Sequence, residues 1–220
     1  MSGPALSWSG GKDSAYTLWT LAQEGVMPTA LVTTVTEEYE RISMHGVRCS
    51  LLRRQAAATG LPLIEVGIPA KCTNGLYESR MGAALASPEL APVEEVAFGD
   101  LFLEDIRAYR ESRLAAAGRR ARFPVWGGDT ASVAEGFIAG GFKAVVVCVD
   151  PSALDASFAG RHYDERLLVD LPAGVDPCGE NGEFHTFVTA GPIFKSSIDC
   201  HRGEVVERDG FVFCDLVGEG

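Results

Sequence analysis

Strand-like and helix-like segments alternate through the first 150 residues of this 220-residue chain, and that alternation leaves few folds open. Residues 5–8 read as a short buried strand closed by Gly10 and Gly11. Residues 14–24 then set Ala15, Leu18, Trp19 and Ala22 on one helical face, and Gly25 stops the helix. Further strands are expected at 29–34, 63–66, 93–98 and 122–126, and helices at 46–58, 74–86, 102–117 and 131–139. Residues 143–149, Lys-Ala-Val-Val-Val-Cys-Val, are the most strand-like run, apolar on both faces as in a parallel sheet. Right-handed strand–helix–strand crossovers then predict an α/β fold built on a doubly wound, mainly parallel sheet. After residue 170 loop chemistry takes over. A strand at 184–188 and a hairpin at 203–214, turning at Asp209-Gly210, follow. Two units are expected, 1–170 and 171–220, the second a small subdomain or extension. Phe137 and Val145 to Val149 are expected in the core with Trp19.

The loop Ser9-Gly10-Gly11-Lys12-Asp13-Ser14 follows the first strand directly and opens the first helix. At the carboxyl end of a strand, free backbone N–H groups and the positive end of a helix dipole face an incoming anion. Gly10 and Gly11 let phosphate oxygens approach the backbone without a Cβ in the way. Ser9 and Ser14 offer hydroxyl donors, Lys12 a point charge, and Asp13 a hard oxygen ligand for Mg²⁺. The spacing differs from the Gly-x-x-x-x-Gly-Lys-Ser/Thr loop of kinases and GTPases.

A net charge of −11, from 30 acidic and 19 basic residues, repels nucleic-acid backbones over long range. Nucleic acid is therefore not an expected partner, and a bound polyphosphate must be held by local dipoles and a metal ion. No run of about 18 apolar residues exists to span a membrane. The N-terminal segment lacks a basic-then-apolar leader, so a cytoplasmic location is expected. The six cysteines are scattered, the nearest two being Cys200 and Cys214, which excludes a Cys-x-x-Cys metal knuckle and fits free thiols in a reducing compartment.

Ser-Gly-Gly-Lys-Asp-Ser resembles the signature of the N-type ATP pyrophosphatases, the PP-loop superfamily with a Rossmann-like fold of the adenine nucleotide alpha hydrolase kind. A second motif, Cys178-Gly-Glu-Asn-Gly-Glu-Phe-His-Thr-Phe-Val188 followed by Gly191-Pro-Ile-Phe194, resembles the C-terminal signature of the diphthine–ammonia ligase family. Val96-Ala-Phe-Gly-Asp-Leu101, the helix with Arg107 and Arg110, and Phe123-Pro-Val-Trp126 fall in that family's order. The resemblance implies a ligase that binds ATP and Mg²⁺ at Ser9 to Ser14, adenylates a carboxylate, releases pyrophosphate, and lets ammonia displace AMP. The acceptor it implies is a small-molecule or protein-borne carboxylate, and a homodimer stays open. Glu180-Asn-Gly-Glu-Phe-His185-Thr departs from the eukaryotic Glu-Gly-Gly-Glu-Phe-Glu-Thr. The stretch Glu37 to Gly46 looks more like bacterial relatives, whose acceptor differs from diphthine, with cobalamin-type amide chemistry one suggestion. Thiolation of tRNA, which uses the same loop, and nucleotide sensing without turnover are the competing readings.

A strand entered through a glycine loop puts Glu183 and His185 on one face. There they can position ammonia or take its proton, bind the acceptor, or serve as a plain turn and surface pair. The resemblance favours a catalytic role for both, and acceptor binding for Glu180, Asn181, Gly182 and Thr186. His45 and Asp100 are expected near the carboxyl edge of the sheet, where ligands bind or helices are capped. Arg107 is kept as an acceptor contact, Arg110 as a solvated helix residue, and His162 and His201 as surface residues.

Overall fold

The computed structural model describes residues 3–219. The first sheet contains β1 (Ala5–Ser7), β2 (Ala30–Thr36), β3 (Arg41–Ile42), β4 (Leu63–Ile68), β5 (Glu95–Ala97) and β6 (Arg120–Arg122). Between them lie α1 (Lys12–Gln23), α2 (Cys49–Thr59), α3 (Asn74–Leu85) and α4 (Glu104–Ala116). β1 is central, paired in parallel with β2 on one side and β5 on the other; β4 extends the sheet beyond β2 and β6 beyond β5, again in parallel. The chain winds outward through β2 and β4, then crosses back to β5 and β6, which is the doubly wound order expected. The crevice where the winding reverses lies between the loops that follow β1 and β5.

Two-residue β3 has more influence on the site than its length suggests. β2 pairs with β1 only at Ala30 to Val32, whereas β4 covers its far edge through Thr36. The near edge at Val35 and Thr36 is therefore free beyond the end of β1, and antiparallel β3 takes it. The turn after β3 thus hangs over the loop that leaves β1.

A second sheet runs β8 (Phe184–Ala190), β7 (Lys143–Val149), β10 (Phe211–Gly218), β9 (Cys200–Arg208), all antiparallel. α5 (Thr130–Ala139) leads into it, capped by the Asp129 carboxylate on Ser132 N–H, and α6 (Glu165–Asp170) lies between β7 and β8. Residues 143–149 therefore do not join the parallel layer. An apolar run reports two covered faces and not strand direction, and β7 is covered on both while pairing antiparallel with both neighbours. The change of sheet thus comes ahead of residue 170. The strand expected at 122–126 lies at Arg120–Arg122 instead, because Pro124 has no N–H for the ladder and the chain turns there, Trp126 N–H reaching Phe123 O. The β9–β10 hairpin turns at Asp209 and Gly210, with φ of 51° and 84°, the two positive values of a type I′ turn.

One core is shared by the two sheets. Leu6 and Leu31 from the first, with Leu18, Leu21, Leu51 and Leu52 from α1 and α2, pack with Val146, Phe184, Phe187 and Leu216 from the second. Tyr16 and Trp19, the latter half-buried, carry the outer face of α1 onto Phe142, whose ring stacks on Phe137 at 4.6 Å. A smaller cluster, including Val32, Val66, Leu90, Val96 and Leu114, fills the other face of the first sheet. Phe187 is fully buried where the sheets meet. Phe187→Ala should lower unfolding free energy by about 3–5 kcal/mol in urea titration; a loss below about 1 kcal/mol would show that the sheets do not rely on that contact.

Candidate functional site

The loop leaving β1 is held on both sides. Trp8 N–H bonds Val32 O at 2.8 Å, and Thr33 Oγ1 donates to Trp8 O at 2.6 Å, which ties the strand end to β2. On the opposite side lies β8. Val188 N–H donates to Gly10 O at 2.9 Å, and Lys12 N–H donates to Thr186 Oγ1 at 3.0 Å. Gly10 has φ +75°, and a Cβ on Gly11 would sit 2.9 Å from His45 Cε1 and 3.0 Å from Thr186 O. Ser9 Oγ accepts Gly11 N–H, and Ser14 Oγ donates to Gly11 O at 3.0 Å. The helix begins at Lys12, so the N–H groups of Asp13 and Ser14 have no acceptor within it. The Asp13 N–H turns to its own carboxylate, and both groups lie at the positive end of α1, where an anion would be met.

Lys12 is buried, with 3% of its surface exposed. Its ammonium contacts both oxygens of Asp13, at 2.7 and 2.8 Å, and donates to the carbonyl of Cys178 in the second motif. The rings of Tyr163 and Phe184 lie 5.9 and 5.7 Å away. Burial works against the ammonium, and the nearby Asp13 carboxylate overcomes it, so Lys12 keeps its proton. Burial lifts the Asp13 carboxyl above the usual range even against the pull of Lys12. Among the described residues no group of three or more His, Cys, Asp and Glu side chains is placed to hold a metal ion.

The second motif is a loop built on carboxylates. Asp176 Oδ1 accepts the N–H groups of Cys178 and Glu180, while Gly179 and Gly182 take φ of +64° and +89°. Glu183 Oε1 accepts Asp176 N–H and exposed Asn181 Nδ2, each at 3.0 Å. Glu183 thus braces the loop and does not pair with His185. The backbone ladder reaches Glu183, whose carbonyl accepts Asp150 N–H at 2.9 Å, while its side chain turns back to the loop. His185 stacks on His45 at 4.6 Å between ring centroids, and His45 Nδ1 lies 3.1 Å from Thr186 O. Burial is the main cause that lowers His45 to about 4 and His185 to about 3; the neighbouring imidazole and Lys12 lower His185 further.

Glu180 is the motif side chain that reaches the loop after β5. Its Oε1 accepts Leu101 N–H at 2.7 Å, which sets it in the crevice between the β1 and β5 loops. Burial, aided by Asp13 and Asp100, pushes it up to about 7. Gly99 closes the same crevice: a Cβ there would be 2.9 Å from the backbone of Asp13. Asp100 pairs with Arg110 through Nε–Oδ2 at 2.8 Å, and Arg110 lies over Phe98. Of the two arginines, therefore, Arg110 is tied to a crevice residue and is not free on the helix face. Arg107 pairs with Glu111 and lies over Trp126 at 4.7 Å. A cavity of about 650 Å³ opens at the carboxyl ends of β2 and β4, lined by Thr34, Thr36, Met44, Ile68, Tyr77 and Phe213 among others.

Residues 3–120 match the profile described as "Diphthamide synthase N-terminal domain", and residues 129–216 match "Diphthamide synthase C-terminal domain". The chain belongs to the diphthamide synthase family. It is similar to the diphthine–ammonia ligases of Mus musculus, 24% identical over 238 residues, and Bos taurus, 24% identical over 235 residues. Each alignment covers 94% of this chain and 86% of the relative. A solved structure described as a predicted subunit of tRNA methyltransferase from Methanocaldococcus jannaschii superposes with a TM-score of 0.46 at 15% identity, over 90% of this chain and 100% of that one. That likeness is too loose to bear on the site.

Gln55, buried on α2 and hydrogen-bonded to the loop, gave no signal in the sequence, since one amide in an otherwise apolar helix face matches no motif. The crevice charges give the family site opposing pH responses. A carboxyl raised above its unfolded value loses stability as pH climbs from 4.5 towards 7; an imidazole lowered below its unfolded value loses it as pH falls from 6.5 towards 4. Glu180→Gln should therefore raise the urea midpoint at pH 8, with the gain vanishing by pH 4. Equal midpoints at pH 8 would show that the Glu180 charge is not buried at a cost.

Proposed function

We propose that this member of the diphthamide synthase family is an ATP-dependent ligase that joins ammonia to a carboxylate. ATP is split to AMP and pyrophosphate. The acceptor carboxylate attacks the α-phosphorus, pyrophosphate leaves, and ammonia then attacks the adenylated carbon and expels AMP. The observation that carries this reading is the first turn of α1 at the carboxyl end of β1, where the N–H groups of Asp13 and Ser14 have no carbonyl acceptor inside the helix and the positive end of its dipole faces the crevice. Donors fixed in place before the reaction stabilise charge that develops on the phosphates. The relatives named diphthine–ammonia ligase support the same chemistry.

Glu180 and Asp100 lie beside the loop in the crevice, where an acceptor and its nucleophile would meet the α-phosphate. A carboxyl that titrates near neutrality is suited to accept the proton ammonia sheds as the amide forms. Glu183, with its oxygen committed to Asp176 and Asn181, positions that loop. Mg²⁺ usually binds through one or two carboxylates plus substrate phosphates, and Asp13, with its side chain 32% exposed, fits the protein's share; the ion would neutralise phosphate charge there.

Incubation with ATP, MgCl₂, ammonium and a panel of carboxylates, diphthine-bearing protein included, should release AMP and pyrophosphate. ADP and phosphate as products would overturn the reading, and tight ATP binding without turnover on any acceptor would favour a sensor. By calorimetry Asp13→Ala should weaken Mg-ATP binding about tenfold or more, roughly 1.4 kcal/mol, while Glu183→Ala leaves it within about twofold. Equal losses in both would contradict this division of roles.

A further inference from the structure

We infer that Gln55 is the positioning residue that sets the shape of the phosphate loop. For its effect on ATP the inference rests on the proposed function; for its effect on the loop it rests on geometry alone. Gln55 has no exposed surface. Its Nε2 donates to Gly10 O at 2.9 Å and to Val188 O at 2.7 Å, and its Oε1 accepts Trp8 Nε1–H at 2.8 Å. Both amide hydrogens and one oxygen lone pair are used.

Those partners lie where the loop begins, inside it, and on the strand beside it. The buried face of α2 is otherwise apolar, with Leu51, Leu52, Ala56 and Ala58. Packing alone would be served as well there by Met or Leu, and a buried amide is costly unless fully partnered. Gly10 is shaped to the amide in turn: it has φ +75°, and a Cβ would stand 2.7 Å from Gln55 Oε1. The Gly10 carbonyl receives two donors, Gln55 Nε2 and Val188 N–H, which hold the Gly10–Gly11 peptide in one orientation. Without Gln55 a single tether remains. The first turn of α1, two residues on, then loses the fixed aim of its N–H groups.

Three variants separate loop positioning from general stability. Gln55→Met keeps the volume and removes all three bonds. Gln55→Glu keeps an oxygen for Trp8 but removes the amide donors, and serves if the first does not fold. Trp8→Phe removes only the third bond. Calorimetry with Mg-ATP should show about tenfold or greater weakening in the Gln55 variants and a change within about twofold in Trp8→Phe, even where urea midpoints fall equally. Exchange of the Val188 amide hydrogen should quicken in the Gln55 variants beyond any global loss of stability. Undiminished ATP affinity in Gln55→Met, or an equal loss in Trp8→Phe, overturns the inference. If the parent chain binds no ATP, the functional reading fails, and the exchange arm decides alone: unchanged Val188 protection in Gln55→Met overturns the positioning role.

Discussion

The phosphate loop is a seam between two sheets, and the rest of the structure is arranged to hold that seam. Gly10 O accepts from Val188 N–H, Lys12 N–H donates to Thr186 Oγ1, and the Lys12 ammonium reaches the Cys178 carbonyl. Each contact crosses from the first sheet to the second. β1 and α1 alone would leave one side of the loop open to water. The antiparallel sheet covers that side with β8, and the same strand leads back into the loop that bears Glu180. In the proposed reaction the nucleotide side and the acceptor side therefore share one strand.

That arrangement also supplies what so acidic a chain needs to hold the proposed polyphosphate. The net charge of −11 works against an anion at long range. At short range the seam sets the positive end of α1 at the crevice, with two N–H groups of its first turn lacking carbonyl acceptors inside the helix, and dipoles fixed in a site with little water act far more strongly than they do in bulk. Lys12 is not poised in solvent as a free cation; it is already spent on Asp13 and a carbonyl. Its charge reaches the crevice through the shape it gives the loop and by partly neutralising the carboxylates around it.

The first sheet was readable from residue pattern because its strands and helices alternate with glycine stops at Gly25 and Gly60, both of which take positive φ. The position of the Ser9 to Ser14 loop between β1 and α1 was readable for the same reason: its geometry is local. Partnerships between distant segments were not. Nothing in Lys143 to Val149 distinguishes a central parallel strand from an antiparallel one covered on both faces. The period-two argument for Glu183 and His185 carried no information about partners: the carboxylate turns to Asp176 and the imidazole to His45. Arg110 and Gln55 gain their meaning from partners at Asp100, Gly10 and Val188, and composition carries no trace of those contacts.

The central claim is that the mouth of α1 grips the outer phosphates of ATP while the seam stays closed. A crystal structure with magnesium and a non-hydrolysable ATP analogue tests it most directly. The account predicts phosphate oxygens about 2.7–3.2 Å from the Asp13 and Ser14 nitrogens, with the Val188 to Gly10 bond intact. Phosphates bound elsewhere, with no phosphate oxygen near those two nitrogens, would contradict it.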